Sequence, residues 1–321
     1  MKKYPLKISY AAKTALWAGK RLKTEFGKCS DHERISETWE LSVRRDDEAV
    51  VLDGDAAGLK LREYFDICGY DCVTPKYKKG DRFPLLIKLI DADDTLSVQV
   101  HPDDEYASRV ENDSGKTEAW HIISAREGAQ IIYGLREGTT REKLEKAIND
   151  GDVESVMRYQ SVRAGETYFI PAGMVHAIGE GILIAEVQQN SDLTYRLYDY
   201  NRVGADGKPR ELHIKKSLDV ARVFGEQEVE NLRFSRGKTL ENGELLVNSE
   251  YFQAIKYTVE GSLALNVDSE SFTSLLCIDG EGEIEQGGEK YAVKKGDSYF
   301  CPAGLGTLDV HGNMTLIASR V

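Results

Sequence analysis

Four side chains in three short stretches have the types needed to hold a divalent cation. Gln99 and His101 lie in Leu96-Ser97-Val98-Gln99-Val100-His101-Pro102, Glu118 in Gly115-Lys116-Thr117-Glu118-Ala119-Trp120, and His176 in Pro171-Ala172-Gly173-Met174-Val175-His176. The first stretch reads as a strand, and side chains in a strand alternate with period two, so Ser97, Gln99 and His101 share one face. A hydroxyl, a neutral amide and an imidazole are poor material for a dry core and good material for a polar pocket. The same alternation places Glu118, Trp120 and Ile122 on one face and His121 on the other, so His121 is left out of the site. Two neutral imidazoles, one carboxylate and one amide oxygen form a mixed nitrogen and oxygen donor set. That set suits Zn²⁺ best, one ion per chain, with Mn²⁺, Fe²⁺ or Co²⁺ as alternatives. His32, His213 and His311 have no partners at ligand spacing and are read as structural.

A second chemical stretch runs from Ile184 to Arg202. Ile182, Ile184, Glu186 and Gln188 share a face, and Asp192 and Arg196 follow beyond a turn. Charges so placed are either solvated edge residues or pocket lining. Tyr195, Tyr198 and Tyr200 around Arg196 favour a wall that binds something polar.

The elements that must position these residues are mostly strands. Residues 36–43, 83–90 and 117–124 read as strands. Leu61, Tyr64, Phe65 and Cys68 at helical spacing, with Gly69 behind them, read as a helix over 55–68. Pro102 followed by Asp103, Asp104 and Glu105 reads as a helix start with proline in its first position. Residues 139–160 read as the most helical part of the chain, with Thr139 and Glu142 as a capping box.

Composition narrows the classes of function. The chain has 321 residues, a formal net charge of −12 and no basic block, which argues against nucleic-acid binding. A small anionic substrate must then be caught by a local group of Lys and Arg. No apolar run reaches the length of a membrane span, and Met1-Lys2-Lys3-Tyr4-Pro5 lacks the apolar core of a signal peptide, so a cytoplasmic protein is expected. Five cysteines in no metal-binding or redox spacing read as reduced thiols. Nothing implies a protein partner.

An internal repeat organises the whole. Ala164-Gly165-Glu166-Thr167-Tyr168-Phe169-Ile170-Pro171-Ala172-Gly173 matches Lys295-Gly296-Asp297-Ser298-Tyr299-Phe300-Cys301-Pro302-Ala303-Gly304. Each copy is a turn, a four-residue strand and a second turn, the punctuation of antiparallel β structure. This pattern, followed after two intervening residues by His176 in the first copy, resembles the second motif of the cupins, which are small jelly-roll barrels. The second copy has Thr307 where the first has His176. The resemblance implies a mainly β bicupin with short helices: two jelly-roll β-barrels and a small helical insertion at about residues 136–160. An N-terminal catalytic domain over 1–238 and a cupin-like domain without metal ligands over 239–321 are expected.

The combined set is more specific. Ser97-x-Gln99-x-His101-Pro102, Gly115-Lys116-x-Glu118, Pro171-x-Gly173-x-x-His176 and Arg196-x-x-Asp199 together resemble the type I phosphomannose isomerases in their short bacterial form, over residues 39–218. That family is zinc-dependent and interconverts mannose 6-phosphate and fructose 6-phosphate. The resemblance implies Gln99, His101, Glu118 and His176 as metal ligands and Arg196 as the active-site arginine. Ser97 and Lys116 fall on positions lining the substrate site, with Glu186 and Asp192 nearby. Arg196, Lys116 and Glu186 are thus the candidate catalytic groups, and Ser97, Lys116, Asp192 and Arg196 the candidate substrate contacts. Lys88 and Arg202 are possible helpers, and the general base stays open among Glu186, Lys116 and a metal-bound water. Thr117 stands where longer members often carry proline. A non-catalytic sugar-binding cupin and a different metal-dependent cupin enzyme are the alternatives.

Overall fold

The computed structural model describes residues 1–204, 207–234, 239–240 and 242–321. Its strands are β1 (Leu6–Ile8), β2 (Ala11–Lys13), β3 (Glu37–Leu41), β4 (Leu85–Ala92), β5 (Val98–Val100), β6 (Glu118–Ala125), β7 (Gln130–Leu135), β8 (Met157–Ser161), β9 (Thr167–Ile170), β10 (His176–Ile178), β11 (Ile182–Gln189), β12 (Tyr195–Tyr198), β13 (Thr239–Leu240), β14 (Gly243–Asn248), β15 (Gln253–Val267), β16 (Thr273–Gln286), β17 (Glu289–Lys294), β18 (Ser298–Cys301) and β19 (Gly306–Arg320). The helices are short: α1 (Arg21–Thr24), α2 (Leu61–Cys68), α3 (Asp104–Glu111), α4 (Arg141–Asp150), α5 (Ile214–Val220) and α6 (Glu226–Phe234). None is long and apolar enough to cross a membrane.

The first half of the chain builds two sheets. One has the order β12-β5-β10-β7-β8, the other β2-β3-β4-β11-β6-β9. They lie face to face, because Ile131, Tyr133 and Ile178 of the first share a buried cluster with Ile90, Trp120, Ile122 and Ile184 of the second. The second half is a single antiparallel sheet, β1-β18-β16-β19-β15-β14-β13, with β17 paired to β16. It coils around its own apolar cluster, which includes Val259, Leu275, Leu308, Val310 and Leu316. Among the described residues none of the three sheets closes on itself, so the closed barrels expected from the repeat are replaced by open sheets. In the first half the chain passes from the six-stranded sheet to the five-stranded one four times, between β4 and β5, β6 and β7, β9 and β10, and β11 and β12, which interrupts the hydrogen-bonded ladder at the corners.

A third cluster joins the halves. Ile87, Leu89, Ala185 and Val187 on the outer face of the six-stranded sheet pack with α2 and with Leu276, Ile278, Phe300 and Ile317 of the large sheet. The N-terminal strand β1 pairs with β18, Leu6 opposite Phe300, and so is stitched into the second half. Buried at the same seam, Lys28 donates from Nζ to Glu40 at 2.7 Å and to the Gly296 carbonyl at 2.6 Å, while Ser298 donates to Glu40 at 2.7 Å. The domain boundary expected between 238 and 239 falls at residues 235–238, which lie outside the described residues.

Several local expectations are corrected. The helix expected over 55–68 is α2 alone, since residues 58–61 are bonded back onto Ala49 and Val51 and Lys60 caps the helix. Pro102 precedes α3 instead of occupying its first position: Asp103 caps the helix, its carboxylate accepting the Tyr106 N–H. The helical insertion expected at about 136–160 is α4 followed by a turn of 3₁₀ helix and the strand β8. Its cap is Thr140, whose hydroxyl accepts the Lys143 N–H, and Gly151 in a left-handed conformation ends it. Thr139 is buried instead of capping.

Candidate metal centre

The three side chains with the strongest claim to a cation converge. His101 Nε2 and His176 Nε2 are 3.1 Å apart, and they lie 3.5 and 3.4 Å from the two carboxylate oxygens of Glu118. One ligand atom from each of the three falls within 4.8 Å of the others, and all three residues are buried. Gln99 belongs to the same face: on β5 it stands opposite His176 on one side and Arg196 on the other. Directly opposed residues in antiparallel strands present neighbouring side chains.

Backbone geometry explains the convergence. β5 ends at Val100, and the His101 carbonyl accepts the N–H of Gly173 at 2.8 Å, which docks the turn before His176 onto the strand carrying the other histidine. Gly173 has φ +87°, and a Cβ there would sit 2.8 Å from the Arg222 side chain, so the turn requires glycine. Gly115 is required for space: a Cβ would lie 2.5 Å from the Asp104 backbone nitrogen. This close approach to the start of α3, with the Lys116 N–H donating to the Pro102 carbonyl at 3.0 Å, delivers Lys116 beside His101.

The donor set fits a divalent cation. Burial pushes Glu118 up to about 7, against the lowering pull of Lys116. Both Glu118 oxygens lack a well-formed hydrogen bond although the residue is fully buried. Lys116 Nζ stands 2.8 Å from Glu118 Oε2 and 2.9 Å from His101 Nε2, in the middle of the cluster. Burial also lowers both histidines, His176 to about 3 and His101 well below its ordinary value, with Lys116 acting in the same direction. Neutral imidazoles beside an under-bonded carboxylate are what a metal requires of its ligands. His176 Nδ1 lies 2.8 Å from the Met174 carbonyl, an arrangement in which Nδ1–H donates and leaves Nε2 free to coordinate.

A second group of charges lies beside the first. Glu186 on β11 stands opposite Trp120 and Lys88. Trp120 Nε1 donates to Glu186 Oε1 at 2.9 Å, and Lys88 Nζ is 3.4 Å from both Glu186 and Glu37. Burial works to raise Glu186, but Lys88, Lys116 and the indole outweigh it and hold the carboxyl below its usual range. Burial likewise opposes the Lys88 charge and is outweighed by Glu37 and Glu186. Arg196 Nε donates to Ser97 Oγ at 3.2 Å, and its backbone is clasped by His213 through two hydrogen bonds of 3.2 and 2.7 Å.

Asp192 is exposed and lines a cleft of about 750 Å³ with Trp39, Arg44 and Asn190, its charge near enough to favour the Lys88 ammonium. Arg202 is held by Asp199, which also binds Arg210, and so belongs to a structural clamp. Tyr195 does not wall the pocket: it alternates to the opposite face from Arg196, joins the core with Val98 and Val100, and donates to Glu111 at 2.7 Å. His121 faces away, its Nδ1 3.0 Å from Thr167 Oγ1. The supports from Met174, Trp120 and Gly115 were not singled out from sequence. The pairing of Glu186 with Trp120 leaves no local signal there, because the register between β6 and β11 is set by packing across the whole sheet.

The mannose-6-phosphate isomerase ManA of Bacillus subtilis (strain 168) is 39% identical over 318 residues, covering 99% of both chains. This chain belongs to the mannose-6-phosphate isomerase family. Within the family, the mannose-6-phosphate isomerase of Streptococcus mutans serotype c (strain ATCC 700610 / UA159) is 37% identical, with 98% of each chain covered. The crystal structure of a Bacillus subtilis mannose 6-phosphate isomerase superposes with a TM-score of 0.90 at 34% identity, over the whole of both chains. Residues 6–128 match the catalytic domain of type I phosphomannose isomerase, and residues 242–321 match the cupin domain of mannose-6-phosphate isomerase.

Proposed function

We propose that the chain interconverts mannose 6-phosphate and fructose 6-phosphate by moving a proton between C1 and C2 through an enediol. The observation that carries this reading is the buried convergence of His101, Glu118 and His176 next to Lys116, on a face that also carries Ser97, Gln99 and Arg196. Gln99, His101, Glu118 and His176 are the residues we assign to one Zn²⁺, the ion that mixed nitrogen and oxygen donors suit best. A cation held there would stabilise negative charge developing on the sugar oxygens.

Arg196 supplies a second positive charge for the same purpose, oriented by Ser97 and by the two bonds from His213. We assign Lys116 and Ser97 to holding a phosphate or sugar hydroxyl, with Asp192 at the mouth. Glu186 is the residue we assign as the base. It is kept ionised and anchored through Oε1, while its buried Oε2 faces the Lys88 ammonium at 3.4 Å. In this reading the first half over 1–238 is the catalytic domain and 239–321 a cupin-like domain without ligands, together a bicupin. A cytoplasmic location is supported by five free cysteines.

The test is a coupled assay of mannose 6-phosphate conversion on the protein as isolated, after chelation and after Zn²⁺ is restored. Activity lost with chelator and recovered with zinc is expected. Absence of turnover in a protein carrying one bound metal per chain would overturn the assignment.

A further inference from the structure

One buried polar group beside the metal centre is used by none of the steps above. Gln188 is fully buried near the end of β11, on the face that carries Glu186. Its cross-strand neighbour is Glu118. Both hydrogens of its amide nitrogen are committed: Nε2 donates at 2.7 Å to the Gln189 carbonyl and at 2.7 Å to the Ser191 carbonyl. Two carbonyl acceptors fix which end of the amide is nitrogen, because an oxygen facing them would be repelled. The oxygen Oε1 is thereby aimed away from the main chain, and it has no hydrogen-bond partner among the described residues. A fully buried amide oxygen without a donor carries a desolvation penalty that a bound donor removes.

The neighbours show what kind of donor is missing. Glu118 next to it is itself an under-bonded acceptor, and Leu86 on the other side offers none. An open-chain sugar phosphate brings a row of hydroxyl groups, each a donor. We infer that Gln188 Oε1 is a substrate-binding acceptor that receives a hydrogen bond from one hydroxyl of the bound sugar. This rests on the sugar-phosphate reading of the same site. The anchored amide makes Gln188 a rigid selector of hydroxyl position, and a site built to accept a hydroxyl discriminates strongly against the analogue lacking it.

The experiment measures binding, by calorimetry, of a hexitol 6-phosphate and of its singly deoxygenated analogues, which cannot isomerise. Each ligand is titrated into the zinc-loaded wild type and into Gln188→Met, which preserves length and burial. One deoxy analogue should bind wild type about 10-fold or more weakly than the parent, and should show no such deficit against Gln188→Met. Uniform weakening of every ligand by the variant means that Gln188 only pins the loop at Ser191, which overturns the inference. A loss of zinc affinity in Gln188→Met makes the residue a metal ligand and also overturns it. Should the variant fail to fold, a crystal structure of the wild type with the hexitol phosphate decides. A sugar hydroxyl within hydrogen-bond distance of Oε1 supports the inference, and a water or protein donor there refutes it. Wild type that neither binds the hexitol phosphate nor isomerises mannose 6-phosphate overturns the functional reading itself, a result separate from failure of the Gln188 contact.

Discussion

The two copies of the repeated turn are nearly the same piece of backbone put to different uses. In both, the glycine takes a positive φ, +87° at Gly173 and +74° at Gly304. In both, its N–H reaches across to a carbonyl, that of His101 at 2.8 Å in the first copy and that of Asp268 at 2.6 Å in the second. The proline carbonyl accepts in each as well, from Met174 at 3.1 Å and from Leu305 at 3.2 Å. Five residues past the proline the copies part. His176 is buried opposite Gln99, whereas Thr307 is exposed opposite Asn266. The interiors differ in the same sense. Lys88, Lys116, Glu118 and Glu186 are buried in the first half, while the buried polar side chains from residue 242 onward are the serines 271, 274, 298 and 319 among the described residues. The turn therefore builds the same corner between strands in both halves, and the residues that line the interior decide whether that corner serves chemistry or only packing.

The largest effect is expected where the copies diverge. His176→Ala should remove the bound metal and lower isomerase activity by about 10³-fold or more, as metal analysis and the coupled assay would record. Retention of both metal and activity would end the comparison as drawn. The reciprocal change, Thr307→His, should capture no metal, because that position is exposed and its cross-strand neighbour is Asn266 instead of a second buried ligand.

Arg196→Ala should keep the metal and lose about 10²-fold in kcat, the scale of one preorganised charge at a developing oxyanion. Metal analysis of that variant separates a charge-stabilising role from a role in holding the site together.

Leu308→Ala probes the dry interior. Loss of a fully buried leucine should cost about 2–5 kcal/mol in denaturant unfolding, with metal content and kcat unchanged at a temperature where the variant is folded. A fall in kcat without loss of stability would mean that the second half takes part in the reaction.

The smallest effect lies at the seam between the halves. His121 is held down to about 4 by burial and by Lys256 across the seam, against the opposing pull of Glu244. Its folded value lies below the unfolded one, near 6.5, so the unfolded chain takes up the proton first as pH falls. The stability it contributes is present above pH 6.5 and is lost between there and about pH 4, to a limit of roughly 3 kcal/mol. His121→Asn should flatten that part of the stability profile, measured as urea midpoints from pH 7 to 4. An unchanged slope would assign it to other groups.

How much of this was legible before the structure follows from the range of each interaction. Ser97, Gln99 and His101 could be placed on one face, and His121 excluded, because strand alternation is local. The α4 cap was read one residue early because Thr139 and Thr140 are adjacent and only the second turns its hydroxyl to the Lys143 N–H. β8 reads as helix in sequence because its five residues are too few to establish a period of two against the helix before them. Tyr195 was misplaced because proximity to Arg196 in sequence puts the two on opposite faces of a strand.

By itself the sequence determined the donor types, the repeat and the mainly β character, all of which reside in residue identity and short spacings. That strands far apart in the chain bring His101, Glu118 and His176 within reach of one ion follows from the folded arrangement alone. That arrangement alone decided that Lys116 lies between them, and that Glu186 is pinned by Trp120 and Lys88. Register between strands depends on packing across the whole sheet, and burial depends on everything that covers it. Neither quantity is carried by a local pattern of residues.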